Sequence, residues 1–273
     1  MASQSALINV MQKASIAASR GLLRDFGEVE NLQVSRKGPA DFVSRADINA
    51  ERTIRRELAK ARPDWGFQME EGGVIEGADK SAPVWVIDPL DGTTNFLRGI
   101  PHFAISIACR QHGRLEHAVV FDPLRDEAFV ASRGYGAQLN VKLLRVTRLP
   151  SLDGAIIGTG IPYRQKAAHL QPYLGMAGAV TQEAADLRRA GSAALDLAYV
   201  AAGRFDGYWE LGLKPWDIAA GALLVTEAGG LVGDLSGGNQ FLQQGHIVCG
   251  APKVFKGLLQ KIAPHVTDEL RER

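Results

Sequence analysis

The chain is predicted to fold as a layered α/β body in two halves, residues 1–150 and 151–273, with a crevice between them. Three observations predict it. Two amphipathic helical patterns open the chain, strand patterns dominate residues 65–146, and after Leu152 strands and helices alternate.

Leu7, Val10, Met11, Ala14, Ala18, Gly21 and Leu22 recur at helical spacing and give the first helix. Residues 47–61 give the second. Its apolar face is Ile48, Ile54 and Leu58, Pro63 closes it, and Asp47 has the chemistry of its N-cap. Between them "SRKGPADFVSRAD" reads as a polar connection bearing Lys37 and Asp41.

The strands that follow are "WGFQME", "VWVID", "FAISIACRQHG", "RLEHAVVFDP" and "DEAFVASRG", punctuated by Gly, Pro and Asp. Three of them follow one another closely enough for an antiparallel meander. In "VWVIDPLDGTTNF" a β-branched and aromatic run suits a strand covered on both faces. Pro89 cannot donate to a ladder, so the strand is expected to end there. Gly92, Thr93 and Thr94 then supply a turn and a helix start, whose backbone N–H groups favour an anion. Asp88 and Asp91 thus stand at a strand's carboxyl end beside an anion cradle.

The second half reads as a strand at 155–159, a helical stretch from Ala167, a helix at 192–202 and a strand at 205–210. A helix at 215–228, strands at 231–234 and 246–249, and a last helix from Pro252 complete it.

Composition narrows the function. The 273 residues are 46% hydrophobic, enough for a large core. Lys and Arg number 31 against 30 Asp and Glu, so no overall basic field draws nucleic acid or anionic lipid. Cys109 and Cys249 lie far apart in apolar runs and read as buried thiols of a reducing compartment. With no long apolar run and no leader pattern, a cytoplasmic location is expected.

Four acids sit at element ends: Glu70, Asp88, Asp91 and Asp217 in "KPWDIAAG". Each has a plain use. Asp217 could complement a helix dipole, Glu70 could be a solvated loop edge, and Asp88 and Asp91 could bond their own turn. Jointly they differ, because apolar neighbours would desolvate every one of them, and uncompensated buried carboxylates are costly. With a phosphate monoester dianion beside them, the local charge would be about −6. Hard oxygen donors without thiolate or imidazole select Mg²⁺ over Zn²⁺.

"WVIDPLDGTTNFLRGIPHFAISIA" and "KPWDIAAGALLVTEAGG" resemble the two signature segments of the inositol monophosphatase family, in particular its bacterial inositol-1-monophosphatase branch. "GPADFVSRAD" and "YVAAGRFDGYWELG" extend the likeness over nearly the whole chain. The resemblance implies the sugar-phosphatase αβαβα sandwich, with a mixed, largely antiparallel sheet in the first half. It implies that Glu70, Asp88 and the Leu90 carbonyl hold one Mg²⁺, that Asp88, Asp91 and Asp217 hold a second, and that a third lies near Glu70 through waters. Asp47 and Thr93 would orient and deprotonate the attacking water, and the Gly92 and Thr93 N–H groups would bind phosphate. Arg188, Ala193 and Glu210 would face the alcohol. The family pattern Gly-Glu-Glu-Ser reads Met69, Glu70, Glu71, Gly72 here, which keeps the glutamates and changes their flanks.

The expected reaction is hydrolysis of a small polyol phosphate, first of all myo-inositol 1-phosphate. Histidinol phosphate, fructose 1,6-bisphosphate and 3′-phosphoadenosine nucleotides are the same-fold alternatives. A protein-binding regulator of transcription with incidental phosphatase activity is the alternative from another class. A homodimer and lithium sensitivity are also implied by the resemblance.

Other signals are set aside. "RGYGAQL" lacks the third glycine of a dinucleotide loop and reads as a hairpin. G-x-S-x-G, a Walker lysine loop and H-E-x-x-H are missing from the sequence. His112 and His117 flank a turn at Gly113, and Trp216 is expected to pack at a helix start.

Overall fold

The computed structural model describes residues 5–28, 34–38, 41–162 and 166–271. The first elements are α1 (Ala6–Phe26), a hairpin of β1 (Val34–Gly38) and β2 (Asp41–Ser44), and α2 (Arg45–Ala61). An eight-stranded sheet follows from β3 (Gly66–Met69), β4 (Gly73–Ile75), β5 (Val84–Asp91), β6 (Ala104–Gln111), β7 (Arg114–Asp122), β8 (Glu127–Ser132), β9 (Gly136–Leu139) and β10 (Lys142–Leu143). The short helix α3 (Thr93–Leu97) sits between β5 and β6. The spatial order is β10-β9-β8-β7-β6-β5-β3-β4, antiparallel throughout except for the parallel β3–β5 pair.

The rest begins with β11 (Ile156–Thr159), α4 (Lys166–Thr181), β12 (Asp186–Arg188), α5 (Ala193–Ala201), β13 (Gly207–Glu210) and α6 (Pro215–Glu227). It ends with β14 (Leu231–Gly233), α7 (Phe241–Gln244), β15 (Ile247–Gly250), α8 (Pro252–Ile262) and α9 (Asp268–Arg271). Its five strands form one mixed sheet in the order β12-β11-β13-β15-β14.

Side-chain alternation along the strands sets the layers. Trp85 and Ile87 of β5 face a core shared with α1 and α2, while Val86 faces the opposite core, with α5 and α6. In the second sheet Tyr208 points to the α5/α6 core and Trp209 to a third core closed by α4 and α8. The order is therefore α1/α2, eight-stranded sheet, α5/α6, five-stranded sheet, α4/α8, which is the expected αβαβα sandwich. Helix α5, almost wholly buried, and α6, with nine buried positions, are the apolar filling between the sheets.

Several expectations need correction. Pro89 does not end its strand. β5 runs on to Asp91, because the register with β6 steps from Asp88↔Ser106 to Asp91↔Ala104, so that Pro89 and Leu90 together face Ile105. A bulge absorbs Pro89 without asking it for a ladder hydrogen bond. Asp47 is not an N-cap: α2 starts two residues earlier and Asp47 lies buried in its first turn. Ile48 is exposed, and Ala46, Ala50, Ile54 and Leu58 form the buried stripe instead. A hairpin, β1–β2, occupies part of the stretch read as a connection, while the Lys37 and Asp41 side chains fall outside the described residues. The short β4, β10, β12 and α7 have too few residues to show a period.

Other readings agree with the fold. "RGYGAQL" is the β8–β9 hairpin, pinned by the Glu227 carboxylate, which accepts from the Gly134 and Gly136 amides at 2.9 Å each. His112 occupies the β6–β7 turn, and His117 Nδ1 pairs with Ser132 Oγ at 2.9 Å. Burial pushes the Cys109 thiol up to about 12 and the Cys249 thiol higher still, as suits inert core thiols. Among the described residues no helix is long and apolar enough to cross a membrane.

Candidate active site

The β5 bulge delivers Asp88, Leu90 and Asp91 to one end of the larger sheet. Asp88 and Leu90 are buried, and the Leu90 amide donates to Asp88 Oδ1 at 2.9 Å. Parallel pairing of β3 with β5 brings Glu70 alongside, its amide donating to the Ile87 carbonyl at 3.2 Å. Asp217 arrives from the first turn of α6, where its Oδ2 accepts the Lys214 amide at 2.7 Å. It thus both caps its helix and brings its charge to bear on Asp88.

The charges of these acids bear on one another. Burial, and after it the charges of Glu70, Asp91 and Asp217, push the Asp88 carboxyl well above the usual carboxylate range. Asp91 is raised to about 8 by burial and by Asp217, although hydrogen bonds from Ser192 and Ala194 oppose the rise. Among the described residues no group of three or more His, Cys, Asp or Glu side chains is gathered closely enough to hold a metal ion as it stands. The donor set, all oxygen, desolvated and mutually repelling, nevertheless fits a hard divalent cation.

Asp47 and Thr93 come together from residues 46 apart. Thr93 Oγ1 lies 3.0 Å from Asp47 Oδ1 and 3.1 Å from the Leu90 carbonyl oxygen. Gly92, at φ +99°, makes the sharp entry to α3. A Cβ there would come within 3.0 Å of the His102 carbonyl and 3.3 Å of the Gly191 carbonyl, so only glycine meets both the angle and the space.

The facing wall belongs to the second sheet and α5. Glu210, buried at the end of β13, accepts a hydrogen bond from the Tyr208 hydroxyl and packs so closely on Gly160 that a Cβ would overlap its carboxyl group. Burial raises it to about 8; Tyr208 opposes that rise, Asp196 and Asp217 add to it, and Arg189 works against it. Ala193 opens α5. Arg188 lies at the exposed sheet edge, ion-paired with Asp186, whereas its neighbour Arg189 is the guanidinium whose charge reaches Glu210 and Asp196.

Sequence reading missed the residues that hold this arrangement. Ser192 Oγ and the Ala194 amide donate to Asp91 Oδ2 at 2.5 and 2.7 Å, across about a hundred residues of chain. The only local hint was Ser192 before an apolar helix, an N-cap pattern, and it does cap Leu195. Asp196, Tyr208 and Arg189 gave no signal at all.

An αβαβα body with an all-oxygen acid pocket beside a glycine-opened helix start is the make-up of a metal-dependent phosphoric monoester hydrolase. The chain belongs to the inositol monophosphatase family, whose model matches residues 3–268. It is 56% identical to the inositol-1-monophosphatase of Rhizobium meliloti strain 1021, covering 95% of this chain and 97% of that protein. It is 51% identical to the Nus factor SuhB of Pseudomonas aeruginosa, covering 97% and 98% respectively. The crystal structure of the extragenic suppressor protein suhB from Bartonella henselae superposes with a TM-score of 0.91 at 48% identity, covering 94% of this chain and 98% of that one.

Proposed function

We propose that this chain hydrolyses the phosphate monoester of a small polyol, myo-inositol 1-phosphate before others, with two to three Mg²⁺ ions. The observation that carries the proposal is Asp88 under the charges of Glu70, Asp91 and Asp217, next to the Asp47–Thr93 hydrogen bond. Glu70, Asp88 and the Leu90 carbonyl would hold one ion and Asp88, Asp91 and Asp217 another, with Glu70 reaching a third through water. Bound Mg²⁺ supplies charge neutralisation, polarisation of the phosphoryl oxygens and a lowered pKa for the attacking water.

The protein's own part is positioning and proton handling. Thr93 donates its hydroxyl hydrogen to Asp47, which leaves an Oγ1 lone pair to take the water's proton while Asp47 takes the one that Thr93 releases. Ser192 and Ala194 hold Asp91 through Oδ2, which leaves Oδ1 available to a cation. Amides of Gly92 and Thr93 receive the phosphate, and Glu210, Ala193 and Arg188 contact the alcohol. Phosphate release should require Mg²⁺, and a substrate panel ranked by kcat/KM should place inositol 1-phosphate first. A higher rank for histidinol phosphate, fructose 1,6-bisphosphate or a 3′-phosphoadenosine nucleotide would replace the substrate and keep the reaction.

A second reading is favoured by the 51% identity to a protein named for a Nus role. On that reading a protein partner in the cytoplasm is the selected ligand and hydrolysis is incidental. A deletion strain rescued in full by the Asp91→Asn chain would establish it; failure of rescue leaves catalysis as the role. Light scattering should give twice the chain mass for the homodimer, and millimolar lithium should inhibit.

A further inference from the structure

His102, between α3 and β6, and Asp196, in the first turn of α5, are not accounted for by the chemistry above. Asp196 is 1% exposed. Its Oδ1 stands 3.6 Å from His102 Nε2, and neither atom has a hydrogen-bond partner among the described residues. That is ion-pair distance, longer than a hydrogen bond. A buried carboxylate oxygen without a hydrogen bond makes the imidazole beside it the natural partner, while the Arg189 guanidinium acts on Asp196 only through its charge. The His102 ring is braced edge-on by Tyr199 at 5.9 Å between centroids.

The backbone of the same histidine seats the phosphate turn. Its carbonyl accepts Asn95 Nδ2 at 2.7 Å, and that amide group also donates to the Ala190 carbonyl at 2.9 Å, just before Gly191. The His102 carbonyl is also the atom on which Gly92 packs. Asp196, for its part, lies on the helix whose first turn supplies the Ala194 amide to Asp91, with the Ser192 cap alongside. One residue therefore touches the turn through its backbone and the facing helix through its side chain.

We propose that His102 and Asp196 are a positioning pair that holds the first turn of α5 in register with the Gly92 turn, and so fixes Asp91 for the reaction. The proposal rests on the phosphatase reading for its effect on rate. Its structural half stands without it.

The test is a double-mutant cycle of His102→Gln, Asp196→Asn and the pair, measured with Mg²⁺ and inositol 1-phosphate. Each single change should lower kcat roughly tenfold, and the double should be no worse than the poorer single, because the two share one interaction. KM should stay within about twofold, since substrate binding is not what the pair supports. Independently of activity, the Ala194 amide resonance in a proton–nitrogen correlation spectrum should move in both singles, because its bond to Asp91 is what the pair places. Multiplicative losses of rate, or losses with the Ala194 resonance unmoved, overturn the proposal. If the unaltered protein releases no phosphate, the phosphatase reading fails while the resonance still decides the pairing. Should His102→Gln fail to fold, Asp196→Asn is read by the same amide and the same kcat.

Discussion

Two strand ends in this chain have almost the same sequence and opposite uses. Val86 to Asp91 reads V-I-D-P-L-D, and Val120 to Arg125 reads V-F-D-P-L-R. In both, the aspartate ends an apolar run and its Oδ1 accepts the amide two residues on at 2.9 Å. They part at the next residue. Arg125 gives Asp122 an amide at 3.1 Å and a guanidinium at 2.7 Å, so that carboxylate is satisfied within its own turn. In the other turn Asp91 offers a second carboxylate where Arg125 offers a cation. The charges of Glu70, just past β3, and of Asp217 in α6 then bear on Asp88. Local sequence makes the strand-end turn, but the third residue and the distant partners decide whether it is a structural clip or part of a cluster of acids.

The hardest test of that contrast is activity. Asp91→Asn and Asp217→Ala should each lower kcat/KM on the order of 10³-fold, the several kcal/mol that a lost cation ligand withdraws from the transition state. Asp122→Asn should leave kcat/KM within about threefold, since its partners are all in its own turn. Comparable losses at both turns in a phosphate-release assay would erase the distinction.

Next in size is the pH dependence of stability, read by thermal melting in chelator. Asp91 and Glu210 both have folded-state values of about 8, so between the ordinary carboxylate range near 4 and that value the folded chain binds more protons than the unfolded one. Stability should therefore fall as pH rises through this window. Glu210→Gln should flatten part of the slope, and Mg²⁺ should reverse it by binding the folded state alone. A melting temperature that climbs between pH 5 and 8 in chelator would contradict the burial of these acids.

The twin turns should also answer one substitution with opposite signs. In chelator, Asp88→Asn removes a carboxylate crowded by three others and should raise the melting temperature. Asp122→Asn leaves the Arg125 guanidinium short of its partner and should cost about 1–3 kcal/mol. Urea unfolding of the two variants side by side gives the comparison directly.

The sequence made one side of this comparison readable and hid the other. Asp88 at the end of an apolar strand and Asp217 at the head of an apolar helix marked the candidate site because desolvated acids are rare, and the layered α/β body followed from the switch of period after Leu152, whereas the αβαβα order came only with the family resemblance. Asp122 carried the same local mark, and only Arg125 three residues on separated it. Ser192 holding Asp91, Tyr208 capping Glu210 and Asp196 meeting His102 lay beyond reach, because each joins elements by packing, which leaves no spacing rule along the chain. Pro89 misled for the opposite reason: the rule that proline ends a strand is sound, and a bulge is its exception.

The smallest expected effect lies beside Glu70, where the family's usual serine is Gly72. Glu51 of α2, buried, braces this loop by accepting the Glu71 amide at 2.8 Å. A Cβ on Gly72 would come within 2.8 Å of Glu51 Oε1 and 2.9 Å of Met69 Cε, both far ends of flexible side chains. Alanine must push that carboxylate aside and give nothing back. Serine pushes equally, but its hydroxyl can donate to the oxygen that it displaces. Gly72→Ser should therefore be nearly neutral, within about 0.5 kcal/mol, and Gly72→Ala worse by roughly the value of one hydrogen bond, about 1 kcal/mol. The Mg²⁺ concentration for half-maximal rate should follow the same order, because Glu70 rides on this brace. Were alanine the better tolerated of the two, Glu51 would not be what positions Glu70.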